Sequence, residues 1–535
     1  MNKNILRYVA GLSLMVCPIL AGAQDIYKVE NFSGEDLNGT ARFVGMGGAM
    51  SSLGADLSVM GTNPAGMGLY RRSDVAMSAG FNVQPGAQSF SGIDKARPSF
   101  DQMGFVYSAR MGKDSGLKFM NIGFNYHKRR NFKNYIGVDG FALGGLSQSL
   151  EMLDLSKVGD RWLDLSDDGD RGLTTPLTCV GYDTQLLNPV YNDKGELVGY
   201  DPVSSQSYDY RRAQWGGVQQ YDFNVAFNVN DRFYTGFTLG VYNVDYHSAT
   251  YYSEDIINNA DPNNVTLHPY YLTNREAISG NGFDFKLGFI VRPMEYSPFR
   301  FGLSFSTPVF YDLTADNYLY MNTPFTSSLG DYSEQDVTVG DNNYKVRSPW
   351  KVNVSMATTV SDYLALDAEY EYADYGKSQI RYPNDSYDYD YGNLAGGTKD
   401  EALGAEIEYF MEKVHTVRVG MEVKLMDNLR FRAGYNYVTA PMDKDAYLNL
   451  FTESSSYFYN TNTDYVNLGA INRATLGLGY SGKHFYADFA YQYQKQSGDL
   501  YTFHIPEDGS ELNRLAPAKV DLNRHSGLFT IGYRF

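Results

Sequence analysis

The side chains able to do chemistry are mostly charges at regular spacing. The densest cationic run is His127-Lys128-Arg129-Arg130, with Lys133 just beyond it. Such a cluster is suited to holding a carboxylate or a phosphate through charge-assisted hydrogen bonds. Farther along, Arg300, Asp367, Glu369, Glu371, Arg418, Glu422, Lys424, Arg430, Arg432 and Asp488 each fall on the polar side of a segment that alternates polar and apolar residues. Charges of both signs on one face are expected to pair, because an unpaired charge away from water is costly. Covalent and metal chemistry find no matching pattern. The seven His are scattered without an HExxH, and no GxSxG occurs. Tyr387-Asp388-Tyr389-Asp390-Tyr391 lacks the Gly and terminal Glu of a calcium loop and reads as a solvated acidic loop. No catalytic residue, metal ligand or cofactor is expected, and the chain is not read as an enzyme.

The elements that position these charges follow from composition. The 535 residues carry a net charge of -17, 46 Tyr and 53 Gly, and the mean hydropathy is -0.38. Acidity argues against nucleic acid as a partner, and abundant Tyr and Gly favour strands and tight turns. Residues 1–23 read as a signal peptide. Lys3 and Arg7 form its basic start, Tyr8 to Leu20 its apolar core and Ala21-Gly22-Ala23 its cleavage site. Cys17 follows Val16, a poor setting for lipid attachment, and cleavage after Ala23 leaves Cys179 as the sole thiol. Beyond that point no run of about 18 apolar residues appears, so no transmembrane helix is expected.

Fourteen segments alternate with period two: 74–84, 101–111, 117–128, 218–230, 232–247, 281–292, 298–311, 347–359, 362–374, 412–425, 428–440, 470–481, 484–495 and 525–535. In the fourth, Tyr221, Phe223, Val225, Phe227 and Val229 oppose Asp222, Asn224, Asn228 and Asn230. Connections run alternately long and short, and both chain ends fall on the short-turn side. That is the layout of a transmembrane β-barrel, with short periplasmic turns and long external loops. Phe529, Ile531, Tyr533 and Phe535 close the chain as an alternating strand with a terminal Phe, a form that resembles the strand read by the barrel-insertion machinery. The expected fold is all-β, a 14-stranded antiparallel barrel in the outer membrane of a Gram-negative bacterium.

Between the signal and the first strand lies Gly45–Gly68, dense in Gly, Ala and Ser and ending near the turn Asn63-Pro64-Ala65-Gly66. Small residues let a backbone pack closely against walls, so residues 24–72 are expected to form a plug and residues 73–535 the barrel around it. The run Gly45-Met46-Gly47-Gly48-Ala49, then Leu53-Gly54-Ala55-Asp56, then Asn63-Pro64-Ala65-Gly66-Met67 resembles the hatch of the FadL/TodX family of outer-membrane transporters. Arg300–Pro308 and Leu429–Tyr437 are similar to strands of that family.

The resemblance implies import of hydrophobic small molecules such as long-chain fatty acids by passive, hatch-gated diffusion, with a lateral exit where the third strand kinks. On that reading Asn63, Pro64, Ala65 and Gly66 form the gate. Gly123 is a candidate for the kink. Leu143, Leu146, Leu150 and Leu153, at i, i+3, i+7 and i+10, would share a helical face as a landing groove or as packing for the loops. Lys128, Arg129 and Arg130 would meet a substrate carboxylate or lipopolysaccharide phosphates. Arg418, Arg430 and Arg432 would latch the plug. Expected partners are the hydrophobic substrate, outer-membrane lipids and lipopolysaccharide, and the insertion machinery, with the barrel a monomer. Similarity to a barrel component of type IX secretion leaves a second reading open, a docking or secretion barrel that moves nothing small.

Overall fold

The computed structural model describes residues 25–87, 90, 96–112, 116–258, 266–324, 334–383, 397–450, 461–507, 510 and 512–535. The expected signal segment 1–23 and the Tyr387–Tyr391 run lie outside the described residues. Fourteen antiparallel strands form a closed ring: β1 Asp74–Val83, β2 Ala96–Arg110, β3 Leu117–Asn131, β4 Ser205–Val229, β5 Phe233–Asn258, β6 Thr266–Val291, β7 Arg300–Ser306, β8 Lys351–Val360, β9 Leu364–Asp374, β10 Lys413–Met426, β11 Leu429–Val438, β12 Ile471–Ser481, β13 Phe485–Lys495 and β14 Arg524–Arg534. Each pairs with the next. β1 closes on β14 from Asp74 opposite Arg534 to Val83 opposite His525.

Every expected segment overlaps one ring strand, and the alternation has a physical meaning. Val75, Met77 and Phe81 of β1, and Phe283, Phe285 and Leu287 of β6, are exposed on the outer wall. Their sequence neighbours Asp74, Ala76, Ser78, Asp284 and Lys286 are buried inside. An apolar exterior facing lipid and a polar interior is the pattern a membrane barrel requires. At the β4–β5 turn Asn230 and Asp231 adopt φ of 55° and 56°, the left-handed pair that matches the twist of a two-residue hairpin.

Strand ends depart from expectation in two places. β4, β5 and β6 run for 25, 26 and 26 residues, well past the roughly 9–11 that cross a bilayer, so their outer halves stand above the membrane. The expected seventh segment, 298–311, splits instead. β7 stops at Ser306, and Phe310–Asn322 leaves the ring to pair with the outer half of β6. Pro308 supplies no amide donor, so the ladder breaks there. In the 131–217 loop, Asn134–Ala142 pairs with β4 above the ring, which leaves the ring count at fourteen.

Among the described residues, two of the larger apolar clusters organise the interior beyond the strands. One lies in the outer loops around Leu163, Leu165, Leu186, Tyr208, Leu319 and Phe503. The other surrounds the helix α1, Ile26–Ser33, inside the upper barrel. The chain from Asp25 to Tyr70 runs among the inward side chains of the ring.

Leu287 is central in the outer apolar band of β6, opposite Phe237 and Phe305. Changing Leu287→Arg is expected to destabilise the folded barrel by about 2–4 kcal/mol, read by urea titration of folding into bilayers.

Candidate functional site: a lumenal segment on two glycine seats

The turn Asn63-Pro64-Ala65-Gly66 opens a short helical turn, Pro64–Leu69, that Asn63 caps by accepting from the Ala65 amide at 3.1 Å. Asn63 is fully buried, and its amide nitrogen donates to the Phe289 carbonyl of β6. Beneath it, Gly236 of β5 and Gly288 of β6 face each other across the ladder. A side chain at Gly236 would collide with the Pro64 carbonyl, and one at Gly288 with the Asn63 side chain. At Gly302 of β7 a side chain would collide with Ser52. The backbone approaches this closely only because the wall has no Cβ there.

A second seat lies across the barrel. The helix α2, Ala41–Gly45, and the following Met46 and Gly47 rest on Gly420 of β10, Gly434 of β11 and Gly477 of β12. Gly420 and Gly434 are again cross-strand partners. Side chains there would strike Met46 and Gly47.

Between the seats, carboxylates of β9 hold the segment by its backbone. Glu369 accepts from the amides of Met50 and Ser51, each at 2.6 Å, and Asp367 accepts from Leu53 at 2.8 Å and Ser52 at 3.2 Å. Arg300 donates to the Leu53 carbonyl at 2.9 Å, and Ser52 meets Ser355 at 2.7 Å. Asn121 of β3 donates to Met67 and Tyr70, Ser304 of β7 to Thr62, and Thr475 of β12 to Gly45. The β9 pair thus takes four successive backbone amides of the segment.

The arginines selected from the sequence act at one remove. Arg432 binds Glu422 and Asp488, both at 2.6 Å, and Glu422 in turn holds Arg42 of the segment at 3.1 Å. Arg418 pairs with Glu371 at 3.1 Å and lies 3.5 Å from Glu369. Arg430 stands 3.9 Å from Glu422, partly exposed near the short-turn end, and no described contact joins it to the segment.

The cationic run resolves differently from its surface reading. Arg129 points inward to Glu35 at 2.7 Å, with its guanidinium 4.9 Å over the Tyr242 ring. Arg130 pairs with Glu30 at 2.8 Å and donates to the Glu30 carbonyl. These two bind the N-terminal segment and face neither lipid nor solvent. Alternation alone would turn only one of these neighbours inward; the register shift between Lys128 and Arg130 in the β3–β4 pairing brings both inside, where Lys28 of α1 adds a pair with Glu276 at 2.5 Å. Burial alone would lower the Lys28 ammonium, but Glu276 reverses this and holds it above its ordinary range.

Gly123 carries no kink. β3 stays in register with β2 from Phe119 to His127, and a side chain at Gly123 would strike Met60 and Met67 of the segment. The leucine face also needs correction. The helix α3 spans Gln148–Leu155, capped by Ser147, so Leu143 and Leu146 precede it. Gly144 and Gly145, at φ of 62° and 95°, turn the chain before the cap. α3 buries Gln148, Glu151, Met152 and Leu155, while Leu146, Leu150 and Leu153 pack half-buried on the outer-loop cluster.

Sequence reasoning placed Asp367 and Glu369 on the inner face without singling them out, and it missed the seats. The available signal was glycine at inward positions of adjacent strands, Gly236 with Gly288 and Gly420 with Gly434.

No protein-family model matches the chain, and no curated protein matches it in sequence. Among solved structures, a Pseudomonas aeruginosa FadL homologue aligns over 94% of this chain and 99% of its own, with a TM-score of 0.50 at 13% identity. The Ralstonia pickettii toluene transporter TbuX aligns over 94% and 99% with a TM-score of 0.46 at 14% identity. The P. putida toluene transporter TodX aligns over 94% and 99% with a TM-score of 0.46 at 12% identity.

Replacing both clasp carboxylates, Asp367→Asn and Glu369→Gln, is expected to speed hydrogen exchange of the Met50–Leu53 amides severalfold, since each hydrogen bond contributes about 1 kcal/mol. Gly288→Val is expected to unseat the Asn63 turn and raise single-channel conductance. Gly112→Val, where a side chain meets open space, leaves conductance unchanged. Taken with the full-length alignment to the P. aeruginosa protein, the ring and its lumenal segment give this chain the fold of the FadL-type outer-membrane barrels.

Proposed function

We propose that this chain is an outer-membrane transporter of hydrophobic small molecules, with residues 24–72 as a hatch inside the barrel of residues 73–535. Residues 1–23 serve as its export signal, removed after Ala23, and the mature barrel works as a monomer without covalent chemistry. The observation that carries the reading is an apolar chamber in the upper lumen. Phe132, Val244, Tyr246, Tyr311, Leu403 and Ile407 surround Ile26, Val29 and Phe32 of α1, all three almost fully buried. Phe32 sits edge-on to Phe132 and Tyr246. A long acyl chain or an aromatic hydrocarbon has the chemistry to replace α1 in that chamber, because apolar pockets select by shape. Below it, the Asn63–Gly66 turn and the β9 clasp are the contacts a hatch would have to break.

A specific observation favours the docking or secretion reading as the second choice. A cavity of about 140 Å³ in the upper lumen is lined by Asp25, Lys28, Glu30, Arg130, Arg473 and Arg524 among others. Paired charges there suit a barrel that binds polar protein segments better than one that passes hydrocarbon.

Uptake separates the two. Cells carrying this protein as their only such barrel are expected to take up labelled long-chain fatty acid or toluene. The double variant Asn63→Ala with Pro64→Ala, inserted at normal levels, is expected to change the uptake rate severalfold. Absence of uptake of both solutes by properly inserted protein rejects the transporter, and pull-down of protein partners then decides for docking.

A further inference from the structure

At the short-turn end, which faces the periplasm in an outer-membrane barrel, cations gather on the inner face of the wall. Arg71 and Arg72 end the lumenal segment there and lead into β1. Arg300 of β7 reaches inward to the Leu53 carbonyl. Arg292 follows the last residue of β6, and Arg71 and Arg292 both stand close enough to the Arg300 guanidinium to act on its charge. Farther round the ring, Lys424 of β10 is the cross-strand partner of Arg430 of β11. Like charges directly opposite each other cost a sheet stability, so this pairing works against the wall that carries it.

Strand alternation decides what can reach these cations. Val291, Phe301 and Leu425, the sequence neighbours of Arg292, Arg300 and Lys424, are exposed on the outer wall. The Arg292 amide still bonds across to the Arg232 carbonyl at 2.7 Å, so the ladder runs through it. The three cations therefore turn to the mouth of the lumen and away from lipid. Water reaches this mouth. The Arg71 side chain is 62% exposed, Lys424 33% and Arg430 32%.

The mouth is neutralised only in part. Asp231 meets Arg71 at 3.1 Å, and Asp427 meets Lys424 at 2.8 Å. Glu422 lies 3.9 Å from Arg430 but is already held by Arg42 at 3.1 Å and by Arg432 at 2.6 Å. Among the described residues, no carboxylate pairs with Arg72, Arg292 or Arg300. Arg292 donates to the Glu295 carbonyl and Arg300 to the Leu53 carbonyl, and the Nε of each is buried without an acceptor among the described residues. Asp367 acts on Arg300 from farther off, but the Ser52 and Leu53 amides occupy it. In a chain of net charge -17, this mouth is a local exception. A concave rim of one sign between apolar walls focuses its field on the opening.

Spacing decides what fits. Arg292 and Arg300 stand at β6 and β7, Lys424 and Arg430 on β10 and β11. Three strand spacings put at least about 14 Å of wall between β7 and β10, more than one small carboxylate or phosphate spans. A chain carrying several carboxylates does span it, and guanidinium forks take carboxylates through paired bonds. We propose that Arg71, Arg72, Arg292, Arg300, Lys424 and Arg430 form a docking site for an acidic segment of a periplasmic protein, which meets the root of the lumenal segment at Arg71 and Arg72. The site rests on the periplasmic placement of the short turns and does not depend on what the lumen transports.

The test uses the full-length barrel in phosphatidylcholine nanodiscs and a fluorescent peptide of ten glutamates, read by anisotropy. The peptide is expected to bind saturably, and more weakly as salt rises. The variant Arg71→Gln, Arg72→Gln, Arg292→Gln, Arg430→Gln is expected to weaken binding more than about tenfold. Lys519→Gln, on an exposed outer strand, is expected to leave it unchanged, and a peptide of ten glutamines not to bind. No saturable binding by the parent protein, equal binding by the quadruple variant, or equal binding of the glutamine peptide overturns the proposal. Free glutamate at millimolar concentration is expected not to compete; full competition overturns the proposal in favour of a small-anion site. Phosphatidylglycerol retained on the purified barrel, counted by native mass spectrometry, is expected to be the same in parent and quadruple variant; its loss in the variant overturns the proposal in favour of a lipid site. Heat-dependent electrophoretic mobility checks that each variant is folded. If the quadruple variant fails that check, Arg72→Gln with Arg430→Gln is read against Arg72→Lys with Arg430→Lys, with weakening in the first and retention in the second expected.

Discussion

The constraint behind every other feature is that a backbone in lipid must satisfy its own hydrogen bonds. A sheet does this only by closing on itself, and here closure is the pairing of β1 with β14 along its whole length. The ion pair of Asp74 with Arg534, at 3.2 Å, marks the short-turn end of that seam. Once the ring is closed, period-two alternation sorts every strand into a lipid face and a lumen face. The apolar exterior and the polar interior are two readings of the same geometry.

A closed polar lumen must then be filled or wet. The N-terminal segment fills much of it, and two devices set how closely. Glycine pairs on β5 with β6, and on β10 with β11, remove side chains where the segment meets the wall. Carboxylates on β9 and β10 answer backbone amides and Arg42 where polar groups would otherwise be stranded. Buried ion pairs contribute modestly to net stability because desolvation offsets their attraction. Their clearer effect is to fix register, since Glu369 and Asp367 reach four successive amides in only one placement of the segment.

The upper lumen is also divided across α1. The chamber around α1 is aromatic and aliphatic, whereas the cavity beside α1 is ringed by charge. α1 separates the two, with Ile26, Val29 and Phe32 on one side and Lys28 and Glu30 on the other. An amphipathic helix in that position makes the apolar chamber and the charged cavity compete for one element.

Much of this was legible in the residues alone. Period-two alternation is a local property, so all fourteen ring strands, their faces and the alternating loop lengths could be read without coordinates. Gly and Ala density marked the lumenal segment, and Asn63-Pro64 its turn. What lay beyond reach depended on which strands become neighbours. The seats need glycines 52 residues apart, Gly236 and Gly288, to stand opposite each other. The clasp needs β9 to face Met50–Leu53 from more than 300 residues away. The run at Lys128–Arg130 reads as a surface patch until β3 turns two of its members inward. Sequence determined which residues share a face of each strand, because that follows from backbone geometry. Only the tertiary structure decided which faces meet, because long-range pairing is set by closure of the whole ring.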